Sequence, residues 1–236
     1  MASEPKQTLS IVPSSPTKEI SLNDKAYGLL KNEILLCRLE PGAEISEGML
    51  AQRYNLGKAP IRHALGRLRE EKFVTTRGRL GNLVAPITLQ DVREVFQLRL
   101  LLEVEVIRLA AGRVDEEQLR ALETRVRSCH STGDTSTSDA YREANHALHC
   151  YIAQASGNGR LAAMVISLIE QHERIILFCL RVLNRDLEFF HFYDPLVDAL
   201  ISGDAQKAAD VTEAAIRGSQ ARIIDAFLSD ATPSRG

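Results

Sequence analysis

"YNLGKAPIRHALGRLREEKFV", residues 54–74, is the stretch on which the fold of the front of this chain turns. It carries five Lys or Arg side chains and two Glu, yet apolar residues run through it at helical spacing. On a helix turning about 100° per residue, Ile61, Ala64, Leu65 and Leu68 make one apolar stripe. Arg62, Gly66 and Arg69 lie together beside it, and His63 and Arg67 lie further round. One face packs and the other reaches outward. Proline suits a first helical turn, so the spacing predicts a helix from about Ala59–Pro60, entered by a turn through Gly57.

Upstream, a helix is expected from Asn23 or Asp24, either able to cap it, with Ala26, Leu30, Ile34 and Cys37 on one face. It stops before the Pro41–Gly42 turn signal. Ser46 then caps a short helix, with Glu47 in its first turn and Leu50 and Tyr54 inward. Downstream, residues 73–76 look like a strand, "RGRLGN" at 77–82 like a turn, and Leu83–Ala85 like the returning strand, ended by Pro86. Three helices and a basic hairpin define a winged helix-turn-helix over residues 21–87. Residues 1–20, rich in Ser, Pro, Thr and Lys without periodicity, read as a flexible tail.

Charge is distributed to match. The whole chain is near neutral at −2, but residues 21–87 carry 11 basic and 7 acidic side chains, against 16 and 22 in residues 88–236. A cationic front and an anionic rear suggest that one domain meets an anionic polymer and the other does not. A helix ~10–12 Å wide enters the DNA major groove, where arginine can pair bidentately with guanine. Arg62 is the expected base reader, and Lys58, at the helix entrance where backbone N–H groups also favour phosphate, positions or reads. Arg67, with Arg77, Arg79 and Asn82 in the hairpin turn, completes the expected DNA-binding set, Gly78 and Gly81 letting the backbone come close.

Behind the wing, periodicity predicts six helices, near 88–112, 115–130, 138–155, 158–181, 187–202 and 204–229, punctuated by Gly157, Gly159, Gly203 and "STGDTSTS". The expected fold class is mainly α: an N-terminal winged helix-turn-helix, then an all-α six-helix bundle over 88–230, which the resemblance described below implies is ligand-sensing. No apolar run reaches the roughly 20 residues of a membrane span, and the N-terminus lacks the apolar heart of a signal peptide, so a cytoplasmic location without a membrane partner is expected. Cys37, Cys129, Cys150 and Cys179 are scattered, as free buried thiols in a reducing compartment are.

The stretch "LEPGAEISEGMLAQRYNLGKAPIRHALGRLREEKFV" resembles the N-terminal domain of GntR-type bacterial transcription regulators. Leu39, Pro41, Gly42, Glu47, Leu50, Ala51, Pro60, Arg62, Ala64, Leu65 and Leu68 fall on that family's pattern. The resemblance places the family's arginine pair on Lys58 and Arg62, its Ser or Thr cap on Gly57, a usual Glu on His63 and a helix-ending Gly on Lys72. The rear resembles the FadR-like (FCD) branch: "QLRLLLEVEVIRLAA", "HALHCYIAQASGN" and "VDALISGDAQKAA" carry its motifs, and six rear helices place the chain nearer the VanR-like group.

That resemblance implies a homodimeric regulator, more often a repressor, that binds an inverted-repeat double-stranded operator and senses a small organic acid in its rear domain. Many relatives hold a divalent metal there with an Asp and three His. The corresponding positions are Asn145, His149, Tyr193 and Ala215, too poor in donors for a zinc-like ion, so neither metal nor other cofactor is expected. A rearranged site using His146, His149, His172 and His191 is the alternative, although His172 with Glu173 in "EQHERI" is most simply solvent-facing, next to Arg174. Arg99, Asn145, His149 and Tyr193 are the expected effector-binding residues, Arg99 having Glu103 one turn on as an ordinary structural partner. An effector-independent architectural DNA binder is the rival reading. An enzyme fused to a DNA-binding head finds no nucleophile–base pair, phosphate loop or intact metal motif.

Overall fold

The computed structural model describes residues 21–76, 78, 81–131, 139–183 and 193–230. The expected tail at 1–20 and the side chains of Arg77, Arg79 and His191 lie outside them.

The front builds around the stripe of the third helix. Helix α1 (Leu22–Leu35), strand β1 (Glu44–Ile45), α2 (Glu47–Arg53) and α3 (Lys58–Glu70) are followed by β2 (Val74–Thr76) and β3 (Asn82–Val84). Ile61, Ala64, Leu65 and Leu68 are all buried, packed with Leu30 and Ile34 of α1, Leu50 of α2, and Phe73 and Val84 of the wing. Burying each large apolar side chain supplies about 1.5–3 kcal/mol, so this core holds three short helices that would be marginal alone. The cap of α1 is Ser21, whose Oγ accepts from the Asp24 N–H at 3.1 Å, rather than Asn23 or Asp24. Ser46 caps α2 as expected, accepting from the Met49 N–H at 3.1 Å. Cys37 lies past the end of α1 in a left-handed conformation (φ 52°), so it joins the core through a turn rather than a helical face. The wing has a third strand unforeseen from sequence: β1 pairs antiparallel with β3, giving the order β1-β3-β2. Two residues are too few to show alternation, which is why β1 left no periodic trace.

The rear contains α4 (Leu89–Ala110), α5 (Glu116–Ser131), α6 (Asp139–Ala155), α7 (Gly159–Arg181), α8 (Asp194–Ser202) and α9 (Ala205–Asp230). These match the six expected helices, except that α8 begins at Asp194 and residues 187–192 lie outside the described set. Thr88 and Asp91 form a reciprocal capping box that starts α4 directly behind the wing. α4 runs through the bundle and packs on α6, α7 and α9. At one end two backbones nearly touch: a Cβ on Gly112 would lie 3.5 Å from Gly203 Cα, and the Gly112 N–H donates to the Leu200 carbonyl at 2.8 Å.

Front and rear share a packed seam along α7. Leu36 and Cys37 bury against Leu177. Arg181 donates to the Leu36 carbonyl at 2.7 Å, Arg174 donates to the Ala85 carbonyl, and Lys31 pairs with Glu170 at 2.7 Å. Burial pushes the Cys37 thiol up to about 11 and the Cys179 thiol up to about 12, so both stay protonated and inert at neutral pH. Cys129 and Cys150 form no disulfide among the described residues and are half-buried.

Candidate nucleic-acid interface and effector cavity

The outer face of α3 is open. Lys58, Arg62, His63 and Arg69 are exposed, while the opposite stripe is buried. Gly57 caps the helix without a side-chain hydrogen bond, leaving its first N–H groups unanswered by a side chain, where an anion is favoured. Arg62 is held by α2: its Nε lies 2.9 and 3.0 Å from the two Glu47 carboxylate oxygens and its Nη2 lies 2.7 Å from one of them. The same guanidinium holds the Glu47 carboxyl below the usual carboxylate range. Arg62 is thereby oriented while its side chain stays 68% exposed, with Nη1 outside the pair.

Arg69 reaches from α3 to the wing, donating to Asn82 Oδ1 at 2.8 Å, so Asn82 sits at the junction of helix and hairpin. Arg67 is placed otherwise. It borders the apolar stripe on the side away from Arg62, stacks 3.6 Å over the Tyr27 ring and pairs with Asp24 at 2.9 Å. Its position ties α3 to α1. Arg77 and Arg79 lie outside the described residues.

The bundle holds a cavity of about 90 Å³. Arg99, Asn145, His149 and Tyr193, expected together, all line it, as does Ala215. Arg99 is buried and donates to Glu103 through Nε at 2.7 Å and Nη2 at 3.3 Å, while its Nη1 is buried without a hydrogen-bond partner. His149 Nδ1 lies 3.8 Å from Glu103 Oε1, and its Nε2 lies 3.3 Å from the Tyr193 hydroxyl, which donates to Asn145 Oδ1. Burial lowers the His149 pKa and pushes the Tyr193 phenol well up, so both are neutral at pH 7.

Around the cavity, among the described residues, no cluster of three or more His, Cys, Asp or Glu suits a metal ion. Of the rearranged set, His146 lies 3.6 Å from Glu173, His172 Nε2 shares a 3.1 Å hydrogen bond with Ser219, and His191 lies outside the described residues.

One expectation is corrected. His172, Glu173 and Arg174 are all buried rather than solvent-facing, and His172 and Glu173 line the cavity. His172 meets the Phe96 ring edge-on at 5.3 Å. The signal was present: residue 172 continues the stripe of Val165, Leu168 and Ile169 at helical spacing, which outranks the polarity of "QHER". Arg142, Tyr141 and Thr212 also line the cavity and were missed, because their side chains look ordinary outside the bundle.

An exposed cationic helix on a winged three-helix head, fused to a helical bundle whose cavity carries several polar and charged side chains, is the architecture of a DNA-binding regulator. Residues 22–84 match the family described as bacterial regulatory proteins, gntR family, and residues 94–218 match the FCD domain. The chain belongs to the GntR family of DNA-binding transcriptional regulators, in the branch with an FCD domain.

It is 29% identical over 159 residues to the HTH-type transcriptional regulator YdhC of Bacillus subtilis (strain 168), covering 67% of this chain and 69% of that one. It is 31% identical over 109 residues to the HTH-type transcriptional repressor RspR of Escherichia coli (strain K12), covering 46% and 47%. The chain thus matches about half the length of RspR. In fold it is similar to E. coli McbR/YncC, with a TM-score of 0.72 at 19% identity over 88% of this chain and 99% of that one. Among the described residues, no helix is long and apolar enough to cross a membrane.

Proposed function

We propose that this regulator is a cytoplasmic homodimeric repressor that binds an inverted-repeat operator and releases it when a small organic acid enters the bundle cavity. It acts by binding rather than by catalysis. Arg62 reads bases, steadied by Glu47, Lys58 serves phosphate or base at the helix entrance, and Asn82, Arg77 and Arg79 serve the wing contact. Two copies of α3 about 34 Å apart would reach successive major-groove faces of one duplex.

The observation that carries the reading is the double duty of α7. One helix lines the cavity with His172, Glu173 and Ile176, and grips the head through Arg174, Leu177 and Arg181. A ligand that favours one setting of α7 therefore biases the placement of the head, and only a difference in affinity between the two settings shifts the balance.

Selection of duplexes from a random pool tests the head: enrichment of an inverted repeat is expected, and recovery without sequence preference would leave only an architectural binder. Adding small carboxylic acids to the selected complex tests the cavity, with displacement from DNA as the expected result.

A further inference from the structure

The cavity's unanswered hydrogen-bonding atoms specify more than an acid. Glu173 is 6% exposed, lines the cavity, and has neither carboxylate oxygen in a hydrogen bond. Its nearest cationic partner is His146 Nδ1, at 3.6 Å from one oxygen, too long for a hydrogen bond. Arg99 is 4% exposed, lines the same cavity, and has spent Nε and Nη2 on Glu103 while Nη1 has no partner. A buried polar group is normally satisfied, and a carboxylate with two bare oxygens is an expensive exception. One orphan donor and two orphan acceptors on separate helices, α4 and α7, face one space.

A bare carboxylate ligand answers only half of this set: it accepts from Arg99 but brings a second anion toward Glu173. The lining sets two guanidiniums, Arg99 and Arg142, among two carboxylates, Glu103 and Glu173, and a ligand that carries both a carboxylate for Arg99 and a donor group for Glu173 answers both orphaned groups at once. Donor number decides which positive or polar group the ligand brings. A hydroxyl offers one O–H for two bare oxygens, whereas an ammonium offers three N–H.

Resting on the effector reading above, we propose that the cavity binds a small amino acid, its carboxylate on Arg99 and its ammonium on Glu173. The next residue, Arg174, donates to the Ala85 carbonyl just behind β3, so an ammonium drawn onto Glu173 acts one residue from the seam with the head.

The test uses the full-length protein and three matched sets by calorimetry: alanine, lactate and propionate; aspartate, malate and succinate; leucine, 2-hydroxyisocaproate and 4-methylvalerate. In at least one set the amino acid is expected to bind tenfold or more tightly than its hydroxy and deamino partners. Glu173→Gln should erase that ratio, weakening the amino acid at least tenfold while the deamino acid binds at least as tightly as it does to wild type. If the deamino or hydroxy acids bind wild-type protein as tightly as the amino acids, the ammonium assignment is wrong while the effector reading stands. If no acid of any set binds, the effector reading itself falls and takes the assignment with it. Should the Gln variant fail to fold, the wild-type ratios still decide.

Discussion

Arg62 on α3 and Arg99 on α4 each grip a glutamate with Nε and Nη2, but the Arg62 side chain is 68% exposed and that of Arg99 is 5% exposed. The chemistry of the two pairs is the same and the solvent is not. In water the Arg62–Glu47 pair contributes little to folding and stays available to a polyanion arriving from outside. In the bundle, the Arg99–Glu103 pair has been stripped of water, so removing either partner leaves a bare charge. On the proposed reading the exposed pair serves recognition from outside, whereas the buried pair, with one atom left over, serves a ligand that enters the bundle.

The hardest way to break the contrast is to remove the carboxylate from each pair. Glu103→Ala should cost about 3–5 kcal/mol of stability in urea unfolding, since it strands Arg99 in the interior. Glu47→Ala should leave the unfolding midpoint nearly unmoved and weaken operator binding instead, because Arg62 loses its support. Equal losses of stability would show that the two pairs do not differ as their exposure says. Arg62→Ala sharpens the recognition side: operator affinity should fall ~10–100-fold and base preference relax, with unchanged thermal unfolding. Lys58→Ala should weaken all duplexes alike and lower the salt slope by about one if it contacts phosphate.

The buried side is also the pH-sensitive side. Cys150 and the Glu173 carboxylate beside it raise His146 to about 10. A base raised in the folded state stabilises fully below its unfolded value of ~6.5 and loses that contribution as pH climbs through the folded value. His146 therefore gives a fall in stability between about pH 6.5 and 10. His149, lowered by burial, works in the opposite sense, its contribution being lost as pH drops below ~6.5. Thermal unfolding from pH 6.5 to 10 should decline less steeply in His146→Gln than in wild type, and parallel curves would remove His146 from the account.

The two regions were unequally legible. The head could be read because its apolar stripe and cationic face alternate within one helix, and because Ser46 and Pro60 mark local starts. The bundle's helices were equally plain, and four of its lining positions followed from family resemblance. Glu173 did not, since burial of a charged residue depends on which helices surround it, whereas His172 was legible through the stripe of Val165, Leu168 and Ile169 but was masked by the polarity of its neighbours. Arg67 shows the same limit on the surface: nothing near it in sequence points to the Tyr27 ring, 40 positions away, on which its guanidinium stacks.

The smallest effect belongs to the end of the recognition helix. Lys72 sits in the left-handed region at φ 63°, where the family pattern has Gly. Its N–H donates to the Arg69 carbonyl at 3.0 Å and the following Phe73 N–H donates to Leu68 at 2.9 Å, the paired bonds that close a helix on a left-handed residue. A side chain there costs about 1 kcal/mol that glycine would not. Lys72→Gly should therefore stabilise the head by about that amount, with Lys72→Asn between. Because Lys72 is exposed and cationic, the same change also asks whether its charge takes part in DNA binding. A gain in stability with an unchanged salt slope would make Lys72 a helix stop with an incidental charge, and confine the cationic surface to the side of α3 that bears Lys58, Arg62 and Arg69. A shallower slope would extend that surface past the end of the helix toward the wing, and the strain at Lys72 would then be tolerated for the sake of its charge.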